Sequence, residues 1–181
     1  MTKIKIQKGI TLIELLVAIT IFSLIISVIL GIFISIMRTQ KRILDYQEVL
    51  NQANYAIEYM SRAIRMAKKD IYGNCISPAK ANYELTHGGR GIKFLSYNNI
   101  CSEFYFDSEN KKIIGVRREE TYDLTTPVFF EVARLNFNIM SEKRDDFFQQ
   151  PRVTLIFEAE KRGAGRIAFQ TTISQRNLDT Q

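Results

Sequence analysis

Apolar residues fall along this chain in three patterns, each of which predicts a different element. From Leu15 to Met37 there are 23 residues without a charge, 18 of them apolar. At about 1.5 Å rise per residue the run makes roughly 34 Å of helix, slightly more than the ~30 Å hydrocarbon thickness of a bilayer. A helix of that length, apolar on every side, is predicted to span a membrane. From Ile43 the pattern narrows to a stripe at Ile43, Tyr46, Leu50, Ala53, Ile57, Met60, Ile64 and Ala67, spaced alternately by three and four, with Asp45, Glu48, Glu58, Arg62 and Lys69 between. That is one face of a helix. No proline precedes Pro78, so a single helix is predicted from about Ile10 to near Lys69, bent at most around Gly31. The stripe reads either as a coiled-coil seam or as a face packed on its own domain, and the lack of a clear charge code beside it favours the second.

After Asp70 the pattern changes to short β-type runs broken by turn residues. The candidates are Ile92–Tyr97, Ile100–Phe106, Lys112–Arg118, Val128–Met140, Arg152–Glu160 and Arg166–Ser174. Alternation with period two is visible in Val132, Arg134, Leu135, Asn136, Phe137, Asn138 and Ile139, with Ala133 standing outside it, and again in Val153, Leu155 and Phe157. These read as antiparallel strands with one covered face, and the simplest cover is the helix stripe. The expected fold class is therefore α+β: a long N-terminal helix, membrane-spanning in its first half and amphipathic in its second, packed on a C-terminal antiparallel β-sheet domain.

Charge sharpens this division. The chain has 25 Lys and Arg against 19 Asp and Glu, but residues 1–9 carry three Lys and no acid, 10–37 carry only Glu14, 38–70 carry seven basic and four acidic residues, and 71–181 carry 15 and 14. The basic balance belongs to the N-terminal parts. A nearly neutral 71–181 lacks the electrostatic footprint of a dedicated nucleic-acid binder, so nucleic acid is not expected as a partner.

Glu14 is the most informative single residue. A carboxylate five positions into a spanning helix costs on the order of 2.5–3.5 kcal/mol on insertion scales and points to a functional site. A cation at the same depth would offset it, and cleavage between Gly9 and Ile10 would create one in the new α-amino group of Ile10. A secretory signal would place a small-residue cleavage site after its apolar core; here Gly9 precedes the apolar run, so a cut would leave the anchor on the mature chain. The segment Lys8-Gly9-Ile10-Thr11-Leu12-Ile13-Glu14-Leu15-Leu16-Val17-Ala18-Ile19 resembles the class III signal of type IV pilins and pseudopilins. Ile10 departs from the phenylalanine commonest there, and Gly31 lies where many pilins carry proline.

The resemblance implies a leader at 1–9, a transmembrane and filament-core helix at 10–37, an amphipathic helix at 38–70 continuing into the soluble domain, and a β-rich domain at 71–181. It implies cleavage at Gly9 by a prepilin peptidase, N-methylation of Ile10, and pairing of Glu14 with the amine of a neighbouring subunit. The implied partners are that peptidase, other pilin or pseudopilin subunits, an inner-membrane assembly platform, and membrane lipid before assembly. The implied location is a single pass through the cytoplasmic (inner) membrane with the C-terminal domain outside, then a pilus or pseudopilus. The stretches Gln150–Leu155 and Phe169–Asn177 are similar to the endings of J- or W-type minor subunits. Major pilin, and pilus, secretion or competence system, stay open at this level. A plain signal anchor with an accidental Glu14 is the competing reading.

Other residues carry less. Cys75 and Cys101 are expected to pair in an exported domain, a closure worth about 3 kcal/mol in the chain-entropy model; two free thiols are the alternative. His87-Gly88-Gly89-Arg90-Gly91 leads into a β-type run and reads as a turn, because a phosphate loop would lead into a helix. Asp107–Asn110 lacks the glycine and final glutamate of a calcium loop. Glu119-Glu120 and Asp145-Asp146 read as solvated acids. With one histidine no catalytic arrangement or metal set is legible, so no enzyme activity and no cofactor are expected. A competence-filament subunit that itself binds DNA is the second function class, with Arg117, Arg118 and Arg162 to Arg166 as its contact set.

Overall fold

Residues 9–77, 81–140, 150–161 and 163–176 are described by the structure, a computed structural model. One helix, α1 (Leu12–Arg65), leads into eight strands: β1 (Tyr83–Thr86), β2 (Gly91–Leu95), β3 (Cys101–Asp107), β4 (Lys112–Arg117), β5 (Glu120–Asp123), β6 (Glu131–Met140), β7 (Arg152–Lys161) and β8 (Gly165–Ser174). A 3₁₀ turn at His87–Gly89 joins β1 to β2. The chain divides into two units, Met1–Ile43 and Leu44–Gln181.

In the first unit every described residue is exposed, including the whole Leu15–Met37 run. The helix is long and apolar enough to cross a membrane. Four of its hydroxyls are satisfied internally: Thr20 donates to the Val17 carbonyl, Ser23 to Ile19, Ser27 to Ser23 and Thr39 to Ser35, at 2.8–3.0 Å. Such back-bonding spares these four donors exposure to hydrocarbon.

In the second unit, two antiparallel sheets share one core with the C-terminal half of α1. Strands β1 to β5 form a meander in sequence order, and β6 to β8 form a separate three-stranded sheet. Val49, Ala53, Met60 and Ile64 of the helix meet Phe94, Phe104 and Ile113 of the first sheet and Leu135, Leu155 and Phe157 of the second. The α+β reading holds, with two sheets where one had been the simplest expectation. The stripe needs correction at its start. Ile43 and Tyr46 are 49% and 42% exposed, whereas Val49 and Ala56 are fully buried. The buried set Val49, Ala53, Ala56, Met60, Ile64 and Ala67 is thus rotated slightly from the pattern read in the sequence. The small Ala53 shares this core with the bulky Phe94 and Phe104.

The helix ends at Arg65, four residues before the sequence-based limit. No glycine caps it; distant groups take its last carbonyls. Ile64 O accepts from the Tyr83 hydroxyl (2.9 Å), Arg65 O from the Arg176 N–H (2.8 Å) and Ala67 O from Gln175 Nε2 (2.9 Å). Lys68 then leaves the helical path, its N–H donating to Leu95 O at 2.8 Å as a bridge to the end of β2. A further link is electrostatic: Lys161 at the end of β7 pairs with Asp45 (3.3 Å) and Glu48 of α1. Its ammonium is held above the ordinary lysine range, first by the hydrogen bond to Glu48 and also by Asp45.

Two strands were not legible in the sequence. β1 and β5 are four residues each, and β5 is apolar only at Tyr122. The Tyr122 ring lies across its register partner Gly115 on β4, where an added Cβ would come within 2.3 Å of it. The predicted strand from Val128 begins instead at Glu131. Ala133 falls outside the β6 and β7 pairing, at a register shift between Val132 and Arg134; this bulge accounts for the broken alternation there.

Candidate functional site

The start of α1 carries the candidate processing and assembly residues. Gly9 and Ile10 precede the helix and are exposed. A Cβ on Gly9 would meet nothing within 4 Å, so this chain's own packing does not require glycine there. Thr11 is the cap. Its N–H and its hydroxyl both donate to Glu14 Oε2, at 3.0 and 2.9 Å, and the Glu14 N–H donates back to Thr11 Oγ1 at 3.4 Å. This reciprocal Thr-x-x-Glu arrangement is a capping box, which satisfies donors that the first helical turn leaves open. Glu14 therefore has a partner within its own chain. The sequence expectation gave it only an amine, although Thr11-Leu12-Ile13-Glu14 is itself the readable signature of such a cap. A negative group in the first turn also faces the positive end of the helix dipole.

The second built feature follows the end of α1. Asp70 is 1% exposed, and its carboxylate accepts four backbone N–H groups: Gly73 (2.9 Å) and Asn74 (3.2 Å) at Oδ1, Cys75 (2.6 Å) and Ile76 (3.0 Å) at Oδ2. Burial acts against its charge and is the largest single influence. The four N–H groups together outweigh it and hold the carboxyl below its ordinary range. The loop so fixed delivers Cys75 to Cys101 at the start of β3; the two form a disulfide with their Cα atoms 5.4 Å apart. Sequence reading passed over Asp70; the available signal was an acid just ahead of the Gly73-Asn74 turn.

The C-terminal stretches singled out in the sequence close this same end. Gln175, 1% exposed, donates to Ala67 O and accepts from Asn82 Nδ2 at 2.6 Å, while its own N–H reaches Pro151 O at 3.1 Å. Gln150 Nε2 donates to Gln175 O. Asn177 lies outside the described residues.

The other sequence candidates are not gathered into a site. Arg166 pairs with Glu160 (3.0 Å) and Glu158 (3.7 Å), and its guanidinium is held further toward the charged form, first by the Glu160 hydrogen bond. Arg162 lies outside the described residues. Arg118 and Glu119 are the two turn residues between β4 and β5, both with positive φ (53° and 69°), and Arg117 and Glu120 are the pair that the turn joins. The expected DNA-contact set is therefore split between a tight turn and an ion-paired strand. Asp107 caps the β3 to β4 turn, accepting from the N–H groups of Glu109 (3.0 Å) and Asn110 (3.2 Å). His87 stacks on Tyr105 with ring centres 4.4 Å apart. Asp145 and Asp146 lie outside the described residues. Among the described residues no group of three or more His, Cys, Asp or Glu is placed to hold a metal.

A family model described as the competence system prepilin ComGE matches residues 11–73. The match covers α1 with its capping box and the loop as far as Gly73. No curated protein and no solved structure matches the chain.

Proposed function

We propose that this chain, which is type IV pilin-like over its N-terminal helix, is a minor subunit of a competence pseudopilus, anchored and assembled through that helix. The observation that carries the reading is the segment Gly9 to Glu14 ahead of a charge-free span; the competence prepilin family matches from Thr11 onward, just past the proposed cut. In this reading a prepilin peptidase cuts after Gly9 and methylates Ile10. The helix from Leu12 holds the chain in the cytoplasmic membrane until the assembly platform extracts it. The new amine of one subunit then takes the carboxylate of a neighbouring Glu14 in place of the Thr11 donors. The disulfide between Cys75 and Cys101 supports placing the C-terminal unit outside the cytoplasm, in an oxidising compartment. The C-terminal stretches that resemble minor subunits support low copy number over a major-pilin role. The role is structural and needs no catalytic group.

The test is incorporation. Wild-type and Glu14→Ala chains are expressed in the competent host at equal membrane levels, and the sheared or crosslinked filament fraction is compared. Substitution leaves the neighbour's amine unpaired in a dry helix bundle, a loss expected to exceed about 3 kcal/mol, so incorporation should fall at least tenfold. Equal incorporation refutes the assembly role of Glu14.

A further inference from the structure

The fold brings cations of the basic 38–70 segment together with cations of the nearly neutral 71–181. Among the described residues the acids of β6 and β7, together with Asp45 and Glu48 of α1, are drawn into ion pairs with Lys111, Arg134, Lys161 and Arg166. At the end of the domain where α1 stops, the fold collects Arg65, Lys68, Lys69, Arg152 and Arg176 from three distant segments, and none of these has an ion-pair partner among the described residues. Their backbones are held together: Arg176 N–H donates to Arg65 O, Arg152 stands opposite Ser174 in the β7 and β8 register, and Ala67 O accepts from Gln175. Arg65, Arg152 and Arg176 are exposed, and Lys68 and Lys69 are half-buried. Asp70, the acid nearest them along the chain, is turned inward onto four N–H groups and does not neutralise them. In sequence, 141–149 runs into Gln150 and 177–181 follows Arg176; together they carry four acids and two cations, a net negative charge smaller than the positive charge of the five cations.

Three residues along the chain from Lys69, Tyr72 is 84% exposed and makes no ring contact among the described residues. It sits on a loop whose backbone Asp70 and the disulfide have already fixed, so little ordering entropy remains to be lost on binding. Cations able to follow a phosphate chain, next to a free aromatic face able to stack an unpaired base, are what a sequence-tolerant single-strand contact requires. We infer that the α1-terminal end of the domain, through Arg65, Lys68, Lys69, Arg152, Arg176 and Tyr72, binds single-stranded nucleic acid. The inference is independent of filament assembly, since it uses neither Gly9 nor Glu14.

The test uses the full chain in neutral detergent micelles and a labelled 20-nucleotide single strand of mixed sequence, followed by fluorescence anisotropy. If all five cations meet phosphates, affinity should fall about 100-fold between 50 and 200 mM salt; for Lys68→Gln with Lys69→Gln the fall should be only about 20-fold. Tyr72→Ala should weaken the single strand about tenfold and leave a duplex of the same sequence unaffected. Arg117→Gln with Arg118→Gln, in the β4 to β5 turn, is the control and should bind as wild type. Three results would overturn the site: a salt slope unchanged by the double lysine variant, an equal loss in the Arg117 and Arg118 control, or full displacement of the strand by micelles doped with anionic lipid, which would mean that the cations read headgroups. Equal loss of duplex and single strand in Tyr72→Ala would overturn the stacking role. Near-ultraviolet circular dichroism of each variant separates lost binding from lost folding.

Discussion

Replacing Asp70 by asparagine tests whether one buried carboxylate organises the loop between α1 and β1. The wild-type group makes four charge-assisted hydrogen bonds, two on each oxygen. An amide retains one acceptor oxygen. The least costly arrangement turns that oxygen to Cys75 and Ile76, which are buried, and presents the amide nitrogen to Gly73 and Asn74, which are exposed and can donate to water instead. Two charge-assisted bonds then become neutral and two are exchanged for water. At about 1.5–3 kcal/mol for a bond to a charged group and about 1 kcal/mol for a neutral one, the destabilisation should be roughly 3 kcal/mol. For a unit of this size that is a melting temperature lower by about 10 °C.

The assay is thermal unfolding of the full chain in detergent, followed by near-ultraviolet circular dichroism, which reports the packed tyrosines and the disulfide more than the helix. Asp107→Asn, in an exposed turn, is the control and should shift melting by no more than about 2 °C. pH supplies the sign. Because the folded Asp70 carboxyl lies below its ordinary range, its contribution is fully present above the unfolded value of about 3.9 and is lost as pH falls through the lower folded value. The difference between wild type and Asp70→Asn should therefore be constant from pH 5 to 7 and shrink below pH 4. A melting shift under 2 °C at pH 7, or a difference that grows on acidification, would refute the reasoning.

Gly9→Ala should leave the fold untouched, since nothing lies within 4 Å of the added Cβ, while blocking removal of residues 1–9 by a co-expressed prepilin peptidase. Intact-mass measurement reads this, and cleavage at the wild-type rate would show that glycine is not what the enzyme requires. Arg118→Asn with Glu119→Gly relieves two non-glycine residues with positive φ in a two-residue hairpin turn, and should raise stability by about 1 kcal/mol; an unchanged urea midpoint would contradict it. Gly115→Ala drives a methyl into the Tyr122 ring at 2.3 Å and should cost about 1–3 kcal/mol; displacing the ring lessens the burial that chiefly raises the Tyr122 pKa and breaks the 3.2 Å contact with the Tyr59 hydroxyl that adds to it, so that pKa should fall.

The chain's pattern by itself determined the elements whose signal is local. A charge-free run of 23 residues has one solution in hydrocarbon, a helix, and the three-four stripe continues it, so α1 was legible almost to its end. The long strands β6 to β8 were legible because one face is buried, and burial on one face of a strand writes a period of two. Gly9, Ile10 and Glu14 were readable as candidates because their pattern is local, within six consecutive residues at and just before the start of α1. What only the tertiary structure decided depends on residues far apart in the chain. The helix stops at Arg65 because Tyr83, Arg176 and Gln175 supply its terminal hydrogen bonds, and no local propensity encodes that. Val49 and Ala56 displaced Ile43 and Tyr46 from the core because the position of the sheets sets which side of the helix is covered. The short β1 and β5 exist through pairing to β2 and β4, and are too brief to carry a periodic signal. The basic end of the domain has the same origin: its five cations lie up to 111 positions apart, from Arg65 to Arg176, and only the closure of β8 against the end of α1 brings them together.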